Sequence, residues 1–232
     1  VKTKEGNLEA RLPNTSQVCI FGNVQISTAA VRALLERAIP LVYFSYGGRF
    51  LGRTFTHDTN NIELRVAQHT QLREPRVCLE LARGVVVSKI LNCRTMLRRN
   101  SEKPDDTTLF ELKQLARKAS EAISIESLLG FEGSAARVYF GAFRGMLKES
   151  LAASFDFDGR NRRPPRDPVN ALLSFAYALL SKDVALAIAA TGLDPLLGFF
   201  HQPRFGRPAL ALDLMEEFRP LVADSVVINV VN

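Results

Sequence analysis

The sequence predicts an α+β chain, with a small β-rich N-terminal domain over residues 1–57 and a larger all-α C-terminal domain over 58–232. Three observations predict it. Short or alternating apolar runs dominate up to about residue 56. From about residue 60 the apolar spacing becomes that of helices. Hydrophobic residues make up 47% of the 232, enough to build a core and too many for wholesale disorder.

The elements follow in order. Residues 7–12 (NLEARL) alternate as a strand, 17–22 (QVCIFG) form a β-rich run closed by Gly22, and 41–45 (LVYFS) form an apolar strand. A turn at 46–48 leads into a further strand, 49–55 (RFLGRTF). Between them, residues 27–38 have helical spacing, with Ser27 as N-cap and Pro40 beyond the end. The first helix of the second domain covers residues 61–72. Pro75 opens another that runs to about Arg99, and 101–108 form a polar linker. Residues 109–129 read as a third helix and 132–150 as a fourth. A long helix follows, with Asp167 as cap, Pro168 in its first turn and Gly192 as its stop. Residues 209–227 read as one final helix.

The formal net charge is +6 and the pI about 9.5, which favours an anionic partner, nucleic acid or a membrane surface. Cys19, Cys78 and Cys93 form no CxxC pair, which argues against a disulfide framework or a zinc site. They read as buried packing residues in a reducing, cytoplasmic compartment. No basic-then-apolar leader opens the chain, and runs such as ALLSFAYALL fall far short of a bilayer span, so no membrane partner is expected. A start at Val1 suggests a trimmed part of something longer.

The chemistry lies in misplaced acids. On a helical wheel of residues 209–224, Leu210, Leu214, Phe218 and Leu221 form one apolar stripe. Asp213 and Glu216 share another face, whose neighbours Ala209, Leu212, Pro220 and Ala223 do not solvate it. Two such carboxylates repel unless a cation sits between them. The competing explanation is a solvated face. Glu132 lies on the apolar stripe of Ala136, Tyr139 and Phe143, and calls for a partner, unless it is a first-turn glutamate favoured by the helix dipole. His201 sits in a loop after GLDPLLGFF and reads alone as structural. Taken as a set, these residues suit Mg2+ or Mn2+, the imidazole leaning toward Mn2+.

Basic loops supply the complement. DGRNRRPPRDP carries Arg160, Arg162, Arg163 and Arg166 on a proline-extended backbone, and Arg204 and Arg207 follow His201. A further run holds Lys89, Arg94, Arg98 and Arg99. Solvated surface or intrachain pairing explains any one of these. Together with a buried acidic metal site they form a layout for phosphodiester chemistry. A non-catalytic nucleic-acid-binding scaffold fits the basic loops equally well and leaves Glu132 unexplained. His57 and His69 read as structural.

LLGFEGSAARVYF, RNRRPPRDPVNALLSFAYALL, GLDPLLGFFH and GRPALALDLMEEFRP together resemble the CRISPR-associated integrase family, Cas protein number one of spacer acquisition. VCIFGNVQISTAAVRALLERAIPLVYFSYGGRFLGR is similar to its β domain. The resemblance implies a metal-dependent DNA endonuclease and integrase that inserts short fragments at a CRISPR repeat edge by 3′-hydroxyl attack. It implies Glu132, His201 and Glu216 as metal ligands, with Asp213 a supporting acid. It also implies double-stranded prespacer and repeat DNA as substrates, a homodimer formed through the β domain, and the small second Cas protein as partner. A RecB-like nuclease, fused or separate, accompanies some members. The family's first strand or two and its helical tail lie outside the matched stretch. A relative serving a mobile element would share the chemistry.

Overall fold

A computed structural model describes residues 2–3, 6–7, 9–54, 62–148, 157–161, 164–202 and 204–232. The chain divides into two compact units, Val1–Asn60 and Asn61–Asn232.

In the first unit β1 (Lys2–Thr3) pairs antiparallel with β2 (Gly6–Asn7). The strand expected over residues 7–12 does not form. Residues 9–11 are irregular and Leu12–Asn14 make a 3-10 turn, because Pro13 has no N–H for a ladder. β3 (Val18–Phe21) lies parallel to β4 (Leu41–Phe44), which is antiparallel to β5 (Phe50–Arg53). A parallel pair needs a crossover, supplied by α1 (Thr28–Leu35), whose N-cap Ser27 accepts from the Ala30 N–H. Leu41, Val42 and Phe44 of the central strand are buried, and Phe21 stacks on Phe44 with ring centroids 4.7 Å apart.

The described residues of the second unit are helical or irregular. α2 (Ile62–Gln71) precedes α3 (Pro75–Asn100), which has proline in its first turn. α4 (Asp106–Ser120) is capped by Asp105, which accepts from the N–H groups of Thr107 and Thr108. The third helix expected from the sequence breaks after Ser120, and α5 (Ile125–Ala142) begins behind Ser124. Ser124 Oγ accepts from the Ser127 N–H while the Ser124 N–H donates to Ser127 Oγ, a reciprocal cap. α6 (Pro168–Thr191) starts and stops as its cap residues predict. Asp167 accepts from the Asn170 N–H, and Gly192 takes a φ of 92°.

α6 overturns one expectation. By length and composition alone it could cross a membrane, at a mean hydropathy of 1.6. It packs on α7 (Ala209–Phe218) and α8 (Ser225–Val231), and buries Val169, Leu173 and Ile188. The final helix is also not continuous. Arg219–Asp224 form a π turn between α7 and α8, where Pro220 removes an N–H from the ladder. The thiols are free, and Cys19 is exposed rather than packed.

The core of this unit joins α3, α4 and α5 through Val86, Ile90, Leu112, Leu128 and Tyr139. α7 and the π turn pack against α3 and α6, which brings residues far apart in sequence into one place.

Candidate active site

The site is built where α3, α5 and α7 meet. Glu132 comes from the body of α5. It is not a first-turn residue, because the helix starts seven positions earlier, so the dipole explanation drops out. Glu216 comes from α7, where Asp213 and Glu216 are both buried on the face whose apolar neighbours exclude a solvated helix side. The stripe opposite is buried at Leu210 but exposed at Phe218 and Leu221.

The two glutamates converge on one cation, and that cation is Lys89 of α3. Its Nζ is hydrogen-bonded to Glu132 Oε1 and lies 2.6 Å from Glu216 Oε2. Burial disfavours the ammonium, but the Glu216 and Glu132 charges outweigh it and raise the Lys89 pKa. Burial likewise disfavours the Glu216 carboxylate, and Lys89 with Arg219 more than offsets that, holding its pKa below the usual range. Arg219 Nη2 forms an ion pair with Glu216 Oε1 at 3.0 Å, and its guanidinium lies 5.0 Å from the Tyr177 ring centroid.

Asp213 organises the histidine loop. It is fully buried, and its Oδ2 accepts from the N–H groups of Phe199 (2.6 Å) and Phe200 (3.0 Å), while Oδ1 accepts from the His201 N–H at 2.8 Å. Oδ1 also lies 2.7 Å from His201 Nδ1. A carboxylate oxygen can only accept, so Nδ1 carries a proton, which leaves Nε2 as the ring atom able to bind an ion. That Nε2 lies 4.0 Å from Glu216 Oε1. The loop passes α7 so closely that a Cβ at Gly198 would lie 2.5 Å from Asp213 Oδ2.

A second buried cluster adjoins the first. Asp224, from the π turn, accepts from Tyr139 of α5 at 2.9 Å and Tyr177 of α6 at 2.6 Å. Lys89, Cys93, Glu132, Tyr139, Arg219 and Asp224 line one shared cleft.

Among the described residues, no three His, Cys, Asp or Glu side chains are drawn together closely enough to hold an ion unaided. The donor set nevertheless fits a small divalent cation. Two carboxylates already meet at one positive atom, and the buried Glu216 Oε2 has Lys89 as its cationic partner. His201 Nε2, 4.0 Å from Glu216 Oε1, offers a nitrogen donor.

The arginines do not behave alike. Arg166 and Arg204 are exposed and Arg207 is half-buried. Arg160 departs from the phosphate-facing expectation, since it turns inward to donate to Asn170 Oδ1 (2.7 Å) and Ser174 Oγ (3.1 Å), over the Tyr177 ring. Arg162, Arg163 and His57 lie outside the described residues. His69 Nε2 lies 3.7 Å from Asp194. Sequence reasoning missed Lys89 and Arg219 as site residues and Asp224 as a buried acid. Lys89 carried a usable signal, because it shares a helix face with the buried Val86, Ile90 and Cys93.

Fold and cluster define a chain with a small mixed sheet and a helical unit that gathers acids, lysine, arginine and histidine in one centre. The chain belongs to the Cas1 family, whose model, "CRISPR associated protein Cas1", matches residues 1–232. It is 52% identical to a CRISPR-associated exonuclease Cas4/endonuclease Cas1 fusion of Geobacter sulfurreducens, over 97% of this chain and 42% of that protein. It is 40% identical to CRISPR-associated endonuclease Cas1 3 of Thermus thermophilus, over 99% of this chain and 67% of the relative. The chain thus spans about two-fifths of the fusion proteins it matches. A solved Cas1 protein from Thermotoga maritima superposes with a TM-score of 0.84 at 28% identity, over 100% of this chain and 73% of that one. A Cas6-RT-Cas1–Cas2 complex contains a chain that matches with a TM-score of 0.81 at 31% identity, over 100% of this chain and 25% of that one.

Proposed function

We propose that this chain is the catalytic part of a divalent-metal-dependent DNA endonuclease and integrase, which joins the 3′-hydroxyl of a short DNA fragment to a phosphodiester at a CRISPR repeat edge. The observation that carries the reading is the convergence of Glu132 and Glu216, from separate helices, on a single cation position. Relatives named as Cas1 endonucleases support it.

Glu132, Glu216 and His201 Nε2 would hold Mg2+ or Mn2+. When bound, the ion would polarise the scissile phosphate and stabilise charge on the attacking or leaving oxygen. Asp213 fixes the imidazole so that its Nε2 faces Glu216. Arg219 holds Glu216 Oε1 from the other side and sets the carboxylate's rotation. Exposed Arg166 and Arg204, with Arg207, would position the DNA backbone and carry no sequence information.

The proposed assembly is a homodimer formed through the β unit, working with the small second Cas protein. Its substrates would be double-stranded prespacer and repeat DNA. A Cas1–Cas2 complex among the structural neighbours, and the Cas4 fusions among the relatives, favour the second Cas protein and a RecB-like nuclease as partners. The test is strand transfer of a prespacer duplex into a supercoiled CRISPR plasmid, with the partner protein and Mn2+ or Mg2+. Glu132→Ala and His201→Ala are expected to abolish joining while DNA binding persists. Joining that survives either change would overturn the assignment.

A further inference from the structure

We propose that Lys89 is a resident counter-cation, which holds the two ligand carboxylates closed without a divalent ion and leaves its place between them when an ion binds. The inference rests on the metal reading above and adds a residue to it.

Three observations carry it. The first is position. Lys89 Nζ contacts both Glu132 and Glu216, so an ion ligated by those carboxylates would compete for the space the ammonium fills. The second is burial. The side chains of Lys89 and Glu216 are 11% and 4% exposed, so solvent screens their charges poorly.

The third is the charge count. Glu132 and Glu216 carry two negative charges, and Lys89 and Arg219 carry two positive ones. Those four side chains balance one another, and the buried Asp213 and Asp224 carboxyl groups lie nearby. Adding a divalent ion beside the ammonium changes the local charge by two units, whereas replacing the ammonium by the ion changes it by one. Displacement is therefore the smaller electrostatic change in a buried place. Lysine suits the role, because its charge rides on a flexible four-carbon stem that can swing out without moving the helix.

The experiment measures Mn2+ binding, without DNA, to the full-length protein by the EPR signal of free Mn2+. Wild type is compared with Lys89→Met, which keeps length and apolar stem but removes the charge, and with Lys89→Arg, which keeps the charge. Lys89→Met is expected to bind Mn2+ about tenfold more tightly or better, the scale of one strongly coupled charge. Mn2+ should also raise its Tm more than it raises the wild-type Tm. Lys89→Arg should bind no more tightly than wild type. Equal or weaker binding by Lys89→Met overturns the inference while leaving the metal reading intact. Absence of stoichiometric binding in every form overturns both. Should Lys89→Met not fold, a crystal of the wild-type protein soaked in Mn2+ decides the question. Lys89 Nζ is expected to have left at least one of the two carboxylates, and an ion bound with both contacts intact overturns the proposal.

Discussion

Asp213 Oδ1 lies 2.7 Å from His201 Nδ1, and the same carboxylate gathers three backbone N–H groups from the loop that carries the histidine. One buried acid therefore fixes the path of the loop and the tautomer of its imidazole together. Asp213→Asn keeps the shape but offers an NH2 where acceptors are needed. It is expected to weaken Mn2+ binding by about 10- to 100-fold, the usual effect of losing a partner behind a ligating histidine. Calorimetric titration of the variant checks this, and unchanged affinity would remove Asp213 from the site.

Gly198 lets the loop pass against α7. A methyl there would meet Asp213 Oδ2, held by two backbone N–H groups, at 2.5 Å and the Ala209 carbonyl carbon at 2.8 Å. Gly198→Ala is expected to cost about 1–3 kcal/mol of stability through overpacking. It should also reduce strand transfer, because Asp213 must move. Urea denaturation alongside the joining assay measures both, and a neutral result in both would show that the loop relaxes freely.

Asp224 gives the protein a pH signature. Burial pushes its pKa up to about 6, against the pull of the Tyr177 and Tyr139 hydroxyls. Its ordinary value when unfolded is about 3.9. The folded state therefore holds this proton more tightly than the unfolded chain. The stabilisation from protonated Asp224 is fully present below about pH 4 and is lost as pH rises through about 6, a change of about 3 kcal/mol. Asp224→Asn lacks that dependence. Between pH 4 and 7 wild type should lose about 2 kcal/mol relative to the variant in urea titrations, and parallel stability curves would contradict the shift.

Arg160 and Arg204 should separate fold from binding. Arg204 is exposed, and Arg204→Ala is expected to weaken DNA binding irrespective of sequence and lower the salt slope by about 1. Arg160 is bonded to Asn170 and Ser174 over Tyr177. Arg160→Ala should instead lower the Tm, by an amount corresponding to about 1–3 kcal/mol, and leave the salt slope unchanged. Fluorescence anisotropy at several salt concentrations, with thermal melts, distinguishes them. A salt-slope change in Arg160→Ala would place its guanidinium on DNA after all.

The acids were legible because each breaks a pattern. Glu132 interrupts an apolar stripe, and Asp213 and Glu216 have neighbours that cannot solvate them. Lys89 breaks its own stripe in the same way, but the arginines nearby at 94, 98 and 99 drew it into a surface basic run. The helix break at 121–124 was hidden because residues 119–123, ASEAI, carry no proline or glycine. Only the serine pair at 124 and 127 marks the new start. Arg219 lay within reach, three residues past Glu216 on one helical face, whereas Asp224 was hidden for a geometric reason. A wheel drawn at 3.6 residues per turn assigns faces wrongly once the backbone changes pitch at Pro220.

That change of pitch sets the phase of everything beyond it. Winding all six residues of Arg219–Asp224 at ordinary α pitch would rotate α8 by about 100°. Val227, Ile228 and Val231 would then swing from the interior into water, and the carboxylate beneath the two tyrosines would swing with them. The wider turn absorbs one extra residue, and so keeps the end of the chain in register with its active centre.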